Sequence, residues 1–228
     1  MPERIPTPLD KMRSAIQLAG FHYIVCLKAL PTNADHEITF DKMTYAFEAI
    51  GRVGSNALHG EFQRWAAVSV LRDLIENFST FLMEIYGSAM QANPGAAYSA
   101  TLIQFERKGI EDQLDILSKD FSIDAAWTTR LVGYNRARNC LAHRQGKVGP
   151  RDANDGNELV VRWLATKIEL AIIRGQHVHG QAARVEVQDK EKRIGVGSFL
   201  IFLPTDILEI CQTFQFAAAA FGTLASQR

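Results

Sequence analysis

Residues 62–85, FQRWAAVSVLRDLIENFSTFLMEI, decide the fold class. Leu71, Ile75, Phe78, Leu82 and Ile85 recur in steps of three and four residues, and Phe62 and Trp65 extend the apolar series towards the N-terminus. A chain with 3.6 residues per turn places such a series on one face, so the stretch predicts a long amphipathic helix at the centre of a core. The opposite face carries Arg72, Asp73, Glu76, Asn77 and Glu84, a solvated and mutually paired surface. Gly51, Gly54 and Gly60 punctuate the segment before it, and Asn93-Pro94-Gly95 closes it.

Working outward, Pro8 opens a first helix over Leu9 to Leu30, with Met12, Ile16, Ala19, Tyr23 and Leu27 on its apolar face and Pro31 as its stop. A second, short helix is expected over Phe40 to Ile50. Beyond the central helix, about Ala97 to Leu117 suits another helix with Gly109 as its weak point. Asp124 then starts a helix that buries Trp127, Leu131, Tyr134 and Leu141 and runs to about His143, where Gly146 and Gly149-Pro150 end it.

The segment from Glu158 to Leu203 changes character. It holds β-branched runs around 159–163, 167–173, 183–187 and 193–203, separated by Arg174-Gly175-Gln176, Gly180 and Gln188-Asp189-Lys190-Glu191. This pattern predicts a small antiparallel sheet of three or four strands. Asp206 with Glu209 forms a capping-box-like start to a last helix carrying Ile207, Ile210, Cys211, Phe214, Ala218, Phe221 and Ala225. The expected fold is therefore mainly α: one domain over residues 1–228, a helical bundle with a β elaboration at 158–203 before the C-terminal helix.

Bulk properties narrow the function classes. The 228 residues are 47% hydrophobic and 22% charged, ordinary globular values. The longest apolar stretch, Phe214 to Leu224, is too short to span a bilayer. Pro2, Glu3, Pro6 and Pro8 do not form an export signal, and Cys26, Cys140 and Cys211 lie far apart without metal-site spacing. A cytoplasmic protein with reduced thiols and no membrane contact is expected. The net charge is zero, yet no acidic residue occurs between Asp124 and Asp152, where Arg130, Arg136, Arg138, Arg144, Lys147 and Arg151 all fall. Cations at a helix C-terminus offset its dipole, which accounts for two or three of these six.

Chemistry concentrates in the same helix. Asn139 and His143 are one turn apart on one face, while Arg138 lies about 140° round from His143. Arg138 occupies a place where the neighbouring pattern predicts an apolar residue, so its guanidinium must be paired, line a cleft or meet a partner chain. In the plain structural reading His143 interacts with the helix dipole and Arg138 pairs with Glu76 or Asp73. The other histidines, including His177 and His179 at strand spacing and the isolated His22, His36 and His59, assemble no ligand set, and no metal or cofactor is expected. Cys140 is read as a small buried hydrophobe before a redox switch. P-loop, GxGxxG, GxSxG and HExxH patterns do not occur.

Arg138-Asn139-Cys140-Leu141-Ala142-His143 resembles the signature of HEPN (higher eukaryotes and prokaryotes nucleotide-binding) domains: Arg, a polar residue, three variable residues, His. Its place near the end of a late helix is similar as well, whereas the sheet at 158–203 is no part of that family's core. The resemblance implies an all-α bundle, a homodimer with the two motifs facing each other, and metal-independent endoribonuclease activity. Toxin–antitoxin or phage-defence roles follow from it too, with RNA as substrate and an antitoxin protein as partner.

It also implies roles. His143 would exchange protons with the ribose 2′-hydroxyl or the leaving 5′-oxygen, Arg138 would stabilise phosphorane charge, and Asn139 would hold the imidazole or the phosphate. Arg136, Arg144 and Lys147 would bind the RNA backbone. A non-catalytic interaction or dimerisation module of the same fold is the alternative.

Overall fold

The computed structural model describes residues 5–28, 36–40, 43–47, 51–175 and 178–224; the side chains of 36–40, 43–47, 51–59, 168–175 and 178–185 lie outside that description. The fold is mainly helical, with a two-stranded antiparallel sheet before the C-terminal helix.

Helix α1 (Pro8–Lys28) starts where a capping box satisfies its first turn: the Asp10 amide donates to Thr7 Oγ1 (3.2 Å), and the Thr7 amide donates back to Asp10 Oδ2 (3.1 Å). Met12, Ile16, Ala19 and Tyr23 are buried as their spacing predicts, against α2 (Gly51–Ala92) and the last helix. Helix α2, with 42 residues, is roughly 60 Å long at 1.5 Å per residue. It runs unbroken through Gly51, Gly54 and Gly60. Its buried stripe comprises Ala66, Ala67, Val70, Leu71, Leu74, Ile75, Phe78, Phe81, Leu82, Ile85 and Tyr86. Trp65 departs from the expectation and is 58% exposed. Six residues before Leu71 is about 120° off the stripe, so the small Ala66 and Ala67 take the core positions instead.

Where the short helix is expected over Phe40 to Ile50, residue 40 and residues 43–47 are strand, and 41–42 and 48–50 lie outside the described residues. Strands β1 (His36–Phe40) and β2 (Met43–Phe47) pair antiparallel there, with Phe40 opposite Met43. Ile38, Thr39, Phe40, Thr44, Tyr45 and Phe47 are β-branched or aromatic, a composition that favours strands over a short helix.

The helix expected over 97–117 is divided. Thr101 caps α3 (Leu102–Glu106), and α4 (Ile110–Asp120) begins after Gly109, the position marked as weak. Asp120 holds the preceding loop in place by accepting from the Ser99 amide (3.0 Å) and from the Tyr86 hydroxyl (3.0 Å). The buried carboxylate thus decides that 97–101 is loop and not helix.

Helix α5 (Ala125–Arg144) begins as read, its first amides capped by Asp124, which accepts from the Ala126 amide at 2.8 Å. It ends on Gln145 at φ 52° and Gly146 at φ 85°. A Cβ on Gly146 would lie 3.1 Å from the Leu200 carbonyl oxygen, so glycine is required both by its backbone conformation and by that approach.

The sheet has two strands, not three or four. Strands β3 (Glu158–Gly175) and β4 (Val178–Gly195) pair in one continuous register from Glu158–Gly195 to Gly175–Val178. Gln188 to Glu191, expected as a turn, are strand residues because each charge finds a partner: Glu191 with Arg162 (3.1 Å), Lys190 with Glu209 (2.7 Å) and Asp189 with Arg130 (2.5 Å). The tip, residues 176–177 with His177, lies outside the described residues, as does the side chain of His179. Leu159, Val160, Val161 and Trp163 bury the base of the hairpin against α5 and α6 (Pro204–Gly222). The last helix is capped at Leu203, three residues earlier than expected. Asp206 sits in its first turn, accepting from the Leu203 amide (3.0 Å) and from Lys192 Nζ (2.6 Å), while Glu209 instead receives Trp163 Nε1 (2.7 Å).

The core meets strong alkali with four groups that burial holds in their protonated forms. Cys140 is pushed up to about 11 and Cys211 to about 12, in each case chiefly by burial. Tyr23 and Tyr86 are also raised to about 12 by burial, Tyr86 with help from its bond to Asp120. Folded values above the unfolded ones mean stability that is complete below the ordinary thiol and phenol range and is lost as pH rises through the folded values. Melting temperature is therefore expected to hold from pH 7 to about 9 and to fall steeply towards pH 12. A flat profile in differential scanning calorimetry across that window would contradict it.

Candidate functional site

Three buried residues aim the end of α5. Ala137, Cys140 and Leu141 face inward, and Gly133 lets the helix approach β3 so closely that a Cβ there would lie 3.1 Å from the Val160 carbonyl oxygen. The outward side of the last turns then faces a shallow pocket of about 370 Å³ lined by Glu111, Arg136, Asn139, His143, Arg144, Arg151 and Asp152. His143 is exposed and Asn139 half-buried, and neither side chain has a hydrogen-bond partner among the described residues.

The basic side chains divide into committed and open ones. Arg144 is committed: Nε donates to Asp152 Oδ2 at 2.7 Å, Nη2 donates to Oδ1, and the Asp152 side chain, 2% exposed, also accepts from the Gly149 amide (2.8 Å). These bonds hold the guanidinium protonated beyond its ordinary range. Arg144 thereby clamps the turn that follows α5. Arg136 donates from Nη1 to the Ala153 carbonyl (2.6 Å) and lies 3.5 Å from Glu111 Oε2. Arg130 stacks over Trp127 (5.1 Å) and pairs with Asp189. Arg138, Lys147 and Arg151 form no ion pair among the described residues. The carboxylates that neutralise half of the basic segment come from α4, β4 and the loop after α5.

Arg138 does not share the pocket of Asn139 and His143. Its Nη2 donates to Asn135 Oδ1 at 3.1 Å, its Nε is buried without a partner, and Asn135 Nδ2 donates in turn to Glu111 Oε1 (3.0 Å). Pairing with Asp73 or Glu76 does not occur among the described residues; Asp73 lies beside Arg72 at 3.7 Å. Arg138 therefore satisfies a polar chain, Arg138–Asn135–Glu111–Arg136, that ties the two sides of α5 together. Arg151 is the pocket residue that the reading of the motif passed over. It was visible in the basic run, but its loop comes back to α5 only through the Asp152 clamp.

Cys140 sits beside that clamp, and burial followed by the nearby Asp152 carboxylate keeps it a thiol up to about 11. A redox role needs a thiolate, so Cys140 acts as core. Asp152→Ala leaves the Gly149 amide and a partly exposed Arg144 without their acceptor. The expected cost is about 2 kcal/mol, below the roughly 3–5 kcal/mol of a fully buried pair because Arg144 is open to water. Urea unfolding checks this, and a loss under about 0.5 kcal/mol would mean that water replaces the clamp.

Chemically, the pocket presents an imidazole, an amide and three guanidiniums against two carboxylates, a set suited to an anion. Among the described residues no three His, Cys, Asp or Glu side chains converge as metal ligands, and no helix is long and apolar enough to cross a membrane. Comparison of the chain with protein-family models, with curated proteins and with solved structures returns no match.

Proposed function

We propose that this chain is a metal-independent endoribonuclease of HEPN type. The observation that carries the reading is the unpartnered imidazole of His143 at the rim of a cationic pocket it shares with Arg136, Asn139 and Arg151. An imidazole titrates near neutral pH and can accept a proton from a ribose 2′-hydroxyl as that oxygen attacks phosphorus, or donate one to the departing 5′-oxygen. Arg136 and Arg151 hold the phosphate, Lys147 the neighbouring backbone, and Arg144 keeps the wall of the pocket in place. One chain offers one acid–base group. The second comes from a homodimer in which each chain's Arg138, turned away from its own His143, serves the common cleft. RNA is then the substrate, an antitoxin protein the partner that restrains it, and the cytoplasm its place.

The turn of Arg138 towards Asn135 also favours the non-catalytic interaction module, where that guanidinium only ties helices together. One experiment separates the two. Purified protein is incubated with mixed RNA in excess EDTA and the fragment ends are analysed. Fragments with 2′,3′-cyclic phosphate and 5′-hydroxyl ends support the nuclease; intact RNA at high protein concentration supports the module.

A further inference from the structure

The segment between β4 and α6 leaves an edge of main chain open. Its backbone bridges the turn after α5: Lys147 and Phe199 face each other antiparallel, the Val148 amide donates to the Ser198 carbonyl (2.9 Å) and the Leu200 amide to the Gly146 carbonyl (2.8 Å). Those bonds flank the Lys147–Phe199 pair, so the amide and carbonyl of Phe199 point to the other side, where neither has a hydrogen-bond partner among the described residues. Side chains alternate along the same segment. Leu200 is buried and Phe202 packs on the core, whereas Phe199, Ile201 and Leu203 are 61%, 69% and 59% exposed. Lys192 Nζ donates to the Ile201 carbonyl (2.8 Å) and holds the segment against β4.

An unpaired strand edge with apolar side chains is a template for another extended chain. Three large side chains this open present roughly 400 Å² of apolar surface, about half of what each partner buries in a standard interface. The edge is also self-complementary. Rotated about a two-fold axis at Phe199, a second copy sets its own Phe199 opposite the first, and each amide meets the other's carbonyl. The two rings then lie side by side on one face, with each Ile201 diagonal to the other chain's ring. Lys147 follows on the outside. Strands about 4.8 Å apart place the two Lys147 backbones roughly 14 Å from each other, beyond the screening length of about 8 Å, so like charges do not oppose the pairing.

We infer that Phe199 is the centre of a homodimer interface, in which two copies of the chain join edge to edge into one continuous antiparallel ladder. The inference rests on the nuclease reading for its choice of a second copy, because the site of that reading is incomplete in one chain. Pairing at Phe199 brings the missing half near. His143 stands four residues before Lys147, so the two α5 ends approach the same ladder from its two sides.

The test is charge exchange at Phe199, read by sedimentation velocity after circular dichroism has shown every variant folded. Phe199→Glu sets two carboxylates face to face in the dimer, and Phe199→Lys sets two ammoniums there. Wild type is expected to dimerise at about 100 µM, and each variant alone to bind its copy about tenfold more weakly or worse. An equimolar mixture of the two variants should dimerise again, because opposite charges then meet. Strictly monomeric wild type overturns the inference and leaves the edge to an extended segment of another protein. A dimer that neither variant weakens overturns it too and places the contact on another face. Loss that the mixture does not restore overturns the direct opposition of the two Phe199 side chains. Dimerisation that follows the charges in a protein that cuts no RNA supports the interface while the nuclease reading fails. Cleavage by a monomer that depends on His143 keeps the nuclease reading and overturns the interface.

Discussion

His143→Ala is expected to lower metal-free RNA cleavage by about 10²–10⁴-fold, the usual contribution of a positioned acid–base group. The fold has no reason to respond. His143 is exposed, and its side chain bonds to nothing else among the described residues, so the urea midpoint should stay within the range of ordinary surface substitutions, about 0.5 kcal/mol. This separation makes the variant informative, since activity and stability are read on the same preparation. Asn139→Ala belongs beside it, because the amide is one turn away and only positions imidazole or phosphate; a smaller loss is expected there. Cleavage by His143→Ala at the wild-type rate would move the acid–base role to another residue and withdraw the functional meaning of the Arg-x4-His spacing.

Phe78→Ala is expected to cost the most stability. Phe78 is fully buried where α2 meets α6, with ring centroids 5.5 Å from each of Phe81, Phe214 and Phe221. Truncation removes a transfer contribution and leaves a cavity that three aromatic neighbours cannot close by small shifts, so about 3–5 kcal/mol is lost. A domain holds about 5–15 kcal/mol in all, so the variant approaches half-unfolding at physiological temperature. Phe78→Leu, which keeps most of the volume, should recover much of this. Urea titrations with unchanged slope are the measurement. A loss below about 1 kcal/mol would show that the cluster repacks and that the α2–α6 contact is looser than its geometry implies.

Helix positions were legible in the sequence wherever a local stop or start agreed with an apolar period. Pro8 with Met12, Ile16, Ala19 and Tyr23, and Asp124 with Leu131, Tyr134 and Leu141, are such cases, since caps and periodicity act over one to four residues. The motif Arg138-Asn139-Cys140-Leu141-Ala142-His143 was legible for the same reason, as was the 140° between Arg138 and His143. Over Phe40 to Ile50 no cap and no apolar period supported the expected helix, and residues of strand composition pair there instead at 40 and 43–47. Trp65 misled in a related way: it is apolar but off the stripe.

By itself, then, the sequence determined the helical class, the start of α1, the bounds of α5, and the placing of Asn139 and His143 on one face. Only the tertiary structure decided which charges near them are free. Glu111, Asp152 and Asp189 lie 24, 8 and 59 residues from the basic or amide groups they neutralise or receive, and pattern over a few residues carries no information about such partners. The same holds for Gln188 to Glu191. A polar run is a turn when water is its only partner and a strand when Arg162, Glu209 and Arg130 stand opposite, and that choice belongs to the packed chain.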